Sequence, residues 1–496
     1  MLAWYVRGCM RRRLPFAALI VAGLALAACG GGSGGGGQVA PPTLPGAAAP
    51  AYRHIVVVIQ ENRSFDDMFA GAKNDGSLHP AVDTVTHGYN SICGSATDVT
   101  TCTPVPLTER GFGDGNDPDH NNDALVGECN APSPSPPPVT GTSPCMQNGF
   151  DHEAVNSQSY PAAYNTTVYA YLTPSEIAPY VDLANAYGIA DELFSGGLSP
   201  SFPGHQYLIS GLGTRNNPPS SPWGCSEPSG DRVELYLGVA SVFPCFTFPT
   251  LATRLDATGV SWKYYTAETP ADGWDGLVDA FRASNAVFNS PEYAAKVVPR
   301  AQFFTDAVTA STSGSVCTLP GVSWITPNGN ASDHAGVANN ADGPYWVAQI
   351  YETVAQSPCY ADTAVLVVWD DSGGWFDHVP PPFVTNSPPP GYQGYRDQIV
   401  GMRVPLLFLA PNAVKGVSHT QRDLGAIVGF VEHNFGLAPI GGEDVDFGGD
   451  HLADMWRPNP SATITPIPVS QIFLTKRKPY SVKWFLSQPP APADDE

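Results

Sequence analysis

Charge is scarce in this chain, and positive charge is scarcest. Only 14% of the 496 residues are Asp, Glu, Lys or Arg, with 24 Lys and Arg against 46 Asp and Glu and a formal net charge of −22. That balance opposes a nucleic-acid partner, because phosphate backbones are held by clustered Lys and Arg. No Cys-x-x-Cys pair occurs, so the usual signature of a zinc finger is missing. Beyond residue 28 no apolar run approaches 18 residues, which leaves no segment of membrane-spanning length there. No internal repeat is visible, so a repeat architecture is not expected. What is abundant is Gly and Pro, 50 of each, a composition of ordered turns and long loops.

The most informative stretch is Trp369-Asp370-Asp371-Ser372, continuing through Gly373-Gly374-Trp375-Phe376-Asp377-His378. It follows Ala364–Val368, a β-branched apolar run of the length of a buried strand. A buried strand ending in two adjacent carboxylates sets hard oxygens at the carboxyl edge of a sheet, where ligands bind in open α/β folds. Adjacent carboxylates repel unless a cation or a shared proton relieves them, which points to a metal. A second strand pattern, His54–Ile59, ends in Gln60-Glu61-Asn62-Arg63-Ser64-Phe65-Asp66. Its carboxylate and amide oxygens suit Mg, Ca, Mn or ferric iron, with Zn possible. Two such strand ends about 300 residues apart predict one site assembled from distant segments.

The N-terminus carries targeting information. Arg7, Arg11, Arg12 and Arg13 form a basic region, and Leu14–Ala28 is an apolar stretch of signal-peptide length. The sequence Leu26-Ala27-Ala28-Cys29 resembles the lipobox of bacterial lipoproteins, which implies cleavage before Cys29 and lipidation of its thiol. Residues 1–28 read as a signal peptide and 29–50 as a Gly/Pro-rich tether. Loss of the four arginines takes the formal charge from −22 to −26. The expected location is outside the cytoplasm, lipid-anchored to a bacterial membrane and facing the periplasm or the cell surface. Eight cysteines remain: Cys93, Cys102, Cys129, Cys145, Cys225, Cys245, Cys317 and Cys359. An even count in an exported chain predicts disulfides, and the spacing in near pairs favours bridges between sequential cysteines.

Residues 51–496 read as a single α/β domain with a mainly parallel sheet, helices on both faces and a disulfide-pinned insertion at about 71–150. Strands are expected at Val260–Tyr265, Val322–Thr326 and Val404–Pro411, and helices over 174–195, 343–357 and 423–435. Ser199 and Ser201 lie in a Ser/Pro/Gly turn before an apolar, helical segment. A helix N-terminus there favours an anion such as phosphate.

Together the segments 61–66, Asp117-Pro118-Asp119-His120, Pro200-Ser201-Phe202-Pro203-Gly204-His205, Ser332-Asp333-His334 and 369–381 resemble the bacterial phosphoesterase family. That family holds phosphatidylcholine-type phospholipases C and acid phosphatases and belongs to the alkaline phosphatase-like superfamily. The resemblance runs from about residue 53 to about residue 440. It implies a phosphate-ester substrate, either a small molecule or a phospholipid headgroup, and one divalent or trivalent ion held by Glu61, Asn62, Ser201, Asp370 and Asp371. It implies Ser201 as nucleophile, with Ser199 the competitor, and His120, His334 and His378 as partners of the phosphoryl oxygens or the leaving group. One departure stands out: the family has Asn and a basic residue where this chain has Gly204-His205. With only about 60 residues after Leu437, the chain resembles the shorter acid phosphatase branch more than the phospholipases. A choline pocket would need an aromatic cage, for which Trp375, Trp262 and Tyr264 are candidates. The non-catalytic alternative is a surface lipoprotein holding structural Ca²⁺.

Overall fold

The computed structural model describes residues 50–132, 141–158, 165–220, 222–235, 241–266, 274–311, 314–337, 342–385, 397–440, 451–458 and 463–467. The signal peptide, Cys29 and the tether lie outside them. Nine strands make the main sheet: β1 His54–Gln60, β2 Gly188–Phe194, β3 Trp262–Thr266, β4 Val297–Pro299, β5 Val322–Ile325, β6 Thr363–Trp369, β7 Arg403–Leu409, β8 Gly416–Ser418 and β9 Arg422–Asp423. Their order is β4-β3-β5-β1-β6-β7-β2-β8, with β9 also paired to β2. Every pairing is parallel except those of β7, which runs antiparallel to both β6 and β2.

β1, β6 and β7 are buried at all seven positions, as a sheet covered on both faces requires. The longer helices are α1 Phe65–Asn74, α2 Asn122–Cys129, α3 Ala178–Ala186, α4 Ser201–Ser210, α5 Leu251–Thr258, α6 Asp342–Ala355 and α7 Gly425–Phe435. α4 packs against α5 and α7, while α6 packs against α3. No helix among the described residues is long and apolar enough to cross a membrane.

One expected element needs correction. The helix read over 174–195 is two elements, α3 and then β2. The segment Gly188-Ile-Ala-Asp-Glu-Leu-Phe194 has little intrinsic strand preference, but β7 and β8 pair with it on either side. Tertiary pairing outweighs local propensity here.

The disulfides join each cysteine to the next: Cys93–Cys102, Cys129–Cys145, Cys225–Cys245 and Cys317–Cys359. The first two pin the segment between α1 and α3. There a short antiparallel pair, His87–Cys93 with Cys102–Pro106, precedes α2. This segment has its own apolar cluster, where Phe150 and Tyr169 meet Phe376 from the loop after β6 at 5.1 and 5.0 Å between ring centroids. That segment is thereby fastened to the loop that follows Asp370 and Asp371.

Candidate active site

β1 and β6 are neighbours in register, with Gln60 opposite Trp369, so both strands end at the same level. Glu61-Asn62 and Asp370-Asp371 therefore emerge side by side. The Asn62 backbone N–H donates to Asp370 Oδ1 at 3.1 Å, and Arg63 N–H donates to the Asp371 carbonyl at 3.1 Å. Asn62 is left-handed, with φ 59°, a conformation Asn tolerates better than most residues. Gly373 closes the turn against it: a Cβ at Gly373 would lie 2.4 Å from the Asn62 carbonyl oxygen.

α4 approaches the same edge with Ser201 as its first residue. Ser201 Oγ lies 3.1 Å from Asn62 Oδ1 and 3.2 Å from Asp371 Oδ2, and all three residues are buried. The distant segments read as one site do converge, with Ser201 in that cluster. Ser199 is held elsewhere, donating to the Gly197 carbonyl.

His120 precedes Asn121, the residue that caps α2 through hydrogen bonds from Asp123 and Ala124. Its Nδ1 lies 2.8 Å from the Pro118 carbonyl, so that nitrogen carries the hydrogen. In the neutral ring Nε2 then accepts from Asn62 Nδ2 at 2.7 Å. The Asn62 amide thus links Ser201 on one side to His120 on the other. His334 is buried, with its ring 5.5 Å from that of His120. His378 is not brought to this cluster. It contacts Asp66 at 2.6 Å, Asp83 at 3.4 Å and Arg403 at 3.4 Å, in a separate ion-pair network.

One residue in the cluster carried no expected role. His205 Nε2 lies 2.9 Å from Glu61 Oε1 and 3.6 Å from Asp370 Oδ2, all fully buried. Gly204 makes this approach possible, because a Cβ there would sit 2.7 Å from the Asp370 carbonyl oxygen. The Gly-His pair that departs from the family pattern is therefore one structural device. The signal in the sequence was the departure itself.

The donor set fits a metal ion. One potential ligand atom from each of Glu61, His205 and Asp370 lies within 4.8 Å of the others. Burial, and then the charge of Glu61, push the Asp370 carboxyl well above its ordinary range. Asp370 Oδ2 makes no hydrogen bond among the described residues. A buried carboxylate in that state calls for a cation. Asn62 Oδ1, Ser201 Oγ and Asp371 Oδ2 add three hard oxygens beside it.

Farther back, Glu128 and Glu153 form a buried carboxyl pair. Burial, and then the charge of Asp119, push Glu153 up to about 8.

The family model described as Phosphoesterase family matches residues 52–438. Phospholipase C A of Mycobacterium tuberculosis (strain CDC 1551 / Oshkosh) is 26% identical over 389 residues, covering 72% of this chain and 68% of the relative. Non-specific phospholipase C1 of Arabidopsis thaliana is 27% identical over 405 residues, covering 77% and 67%. A solved protein of the alkaline phosphatase superfamily from Vibrio parahaemolyticus aligns with 53% of this chain and 62% of its own at 13% identity and TM-score 0.33. The matched span opens just before β1 and closes just after α7, taking in every motif at the sheet edge. The chain belongs to the phosphoesterase family, hydrolases of phosphate ester bonds.

Proposed function

We propose that the chain is a metal-dependent phosphatase that hydrolyses phosphate monoesters through a covalent intermediate on Ser201. The observation that carries this reading is the position of Ser201 Oγ, between Asn62 Oδ1 and Asp371 Oδ2 at the first turn of α4. Glu61, Asn62, Asp370, Asp371 and Ser201 would hold the ion, which neutralises phosphoryl charge and makes the hydroxyl more acidic. Ser201 Oγ attacks phosphorus in line, with Asp371 Oδ2 placed to accept its proton. The P–O bond to the leaving group breaks, and its oxygen departs with the electron pair and a proton supplied by the imidazolium form of His334, while His120 orients the Asn62 amide. Water then attacks the phosphoserine, phosphate leaves and the hydroxyl is restored.

A second reading is phospholipase C action, here on phosphatidylcholine-type lipids; the relatives' names favour phospholipase C. The aromatic candidates for a choline cage speak for the monoester instead. Trp262, Tyr264 and Trp375 are buried, with Lys296 over Trp262 at 4.7 Å and Arg63 over Trp375 at 5.0 Å. Release of p-nitrophenol from its phosphate and from its phosphorylcholine ester, with and without chelator, separates the two. Faster turnover of the monoester, lost on chelation, is expected. Faster turnover of the phosphorylcholine ester would replace the reading by phospholipase C. Metal binding with neither ester cleaved would leave the non-catalytic metal-binding lipoprotein.

Lipid anchoring through Cys29 belongs to the same proposal and rests on the lipobox. Cys29→Ser is expected to abolish membrane association while leaving catalysis near normal. Unchanged association with the membrane fraction would overturn it.

A further inference from the structure

The imidazole of His205 has a defined orientation. Tyr264 has one hydroxyl hydrogen and donates it to the Val278 carbonyl at 2.7 Å. The Tyr264 oxygen, 3.4 Å from His205 Nδ1, therefore serves that nitrogen as an acceptor. Nδ1 then carries the ring hydrogen, and in the neutral ring Nε2 presents a lone pair to Glu61 Oε1 at 2.9 Å and Asp370 Oδ2 at 3.6 Å. A lone pair aimed at two buried carboxylates is repulsive unless a positive centre lies among them. A hydrogen bond from the far ring nitrogen to a protein oxygen is also how metal-binding histidines are usually oriented. Gly204 allows α4 to sit against the Asp370 backbone and carries His205 into this position.

We propose that His205 Nε2 is itself a ligand of the metal ion, giving the site a nitrogen donor beside the carboxylates of Glu61 and Asp370. The proposal rests on the metal-dependent reading above and extends it to the class of ion. Ca²⁺ and Mg²⁺ take all-oxygen shells, whereas imidazole with carboxylate suits Mn, Fe, Co or Zn. The site therefore selects a first-row transition ion over Ca²⁺ or Mg²⁺.

Binding is read without substrate, so that failure of the ligand assignment and failure of the catalytic reading remain distinct. The full chain, stripped of metal, is titrated with Co²⁺ and followed by visible absorption, for wild type, His205→Gln, Glu61→Gln and His433→Gln. His205→Gln is expected to weaken Co²⁺ binding by about tenfold or more and to alter the band positions. Glu61→Gln should also weaken it, and His433→Gln should match wild type. A hundredfold excess of Ca²⁺ should not displace Co²⁺ from wild type. Pulsed electron paramagnetic resonance of the Mn²⁺-loaded wild type needs no variant and should show coupling to a directly bound ¹⁴N. Absence of that coupling, unchanged Co²⁺ bands in a folded His205→Gln, or displacement by Ca²⁺ would each overturn the proposal. If Glu61→Gln also left Co²⁺ binding unchanged, the metal reading of the whole cluster would fall with it.

Discussion

Two acidic clusters are built from the same pair of chain segments, and they solve the same electrostatic problem differently. Glu61 and Asp370 gather with His205, while a few residues onward Asp66 and Asp377 gather with His378. The second group is neutralised from within. Arg403 is fully buried and lies 2.9 Å from Asp377 and 3.4 Å from Asp66. The cluster fastens the start of α1 to the loop after β6, since Asp377 accepts from the Asp66 backbone and Asp66 from that of His378. Both groups hold an imidazole, and the second has the Arg403 guanidinium as well. A strand end with a built-in cation becomes a staple, and one without it is suited to a bound ion.

The largest effect is expected at the nucleophile. Ser201→Ala is expected to lose about three or more orders of magnitude in turnover with the fold intact, because an activated nucleophile has no substitute. Acid quenching should trap phosphoserine on the peptide containing Ser201, and Ser199→Ala should lose far less. Activity in both variants would show that water attacks phosphorus directly. Asp370→Ala and Glu61→Ala should lose both turnover and bound metal.

Arg403→Met tests the opposite property. Leaving Asp66 and Asp377 without their cation should cost about 3–5 kcal/mol in denaturant unfolding, as for other broken buried pairs. Metal content of the folded fraction should be unchanged. A loss of metal rather than stability would erase the distinction between the clusters.

Burial alone would lower the His378 pKa, but the hydrogen bond and charge of Asp66 outweigh it and hold it above 6.5. Its contribution is present below pH 6.5 and lost as pH rises through the raised value. His378→Gln should therefore lose stability mainly below neutrality, by under about 1 kcal/mol. Glu153, at about 8 when folded against 4.5 for a free glutamate side chain, is best tolerated protonated. The folded state binds the extra proton, so stability falls as pH rises from about 5 to 8. Glu153→Gln should flatten that slope in thermal melts across the same range. An unchanged slope would show that Glu153 does not carry that proton.

The sheet-edge residues were legible in the sequence because two features coincide there. β-Branched runs mark buried strands, and carboxylates directly after them are conspicuous in a chain so poor in charge. His205 was illegible because its partners, Glu61 and Asp370, are 144 and 165 positions away, and a Gly-His pair inside a helix has no local meaning. His378 misled for the converse reason. It stands in the same motif as Asp370 and Asp371, yet the chain turns at Gly373 and Gly374 and delivers it to Arg403. β2 was lost because its strand identity resides in β7, more than 200 residues later.

The order of the disulfides governs how the chain can be oxidised. Each of the eight cysteines among the described residues is bridged to its neighbour in sequence, across 9, 16, 20 and 42 residues, and no bridge there encloses or crosses another. Eight thiols allow 105 pairings. A chain entering an oxidising compartment N-terminus first presents its thiols two at a time, and joining them by order of arrival yields the native set. If the chain is exported, such oxidation needs no later round of bond exchange to repair wrong pairs.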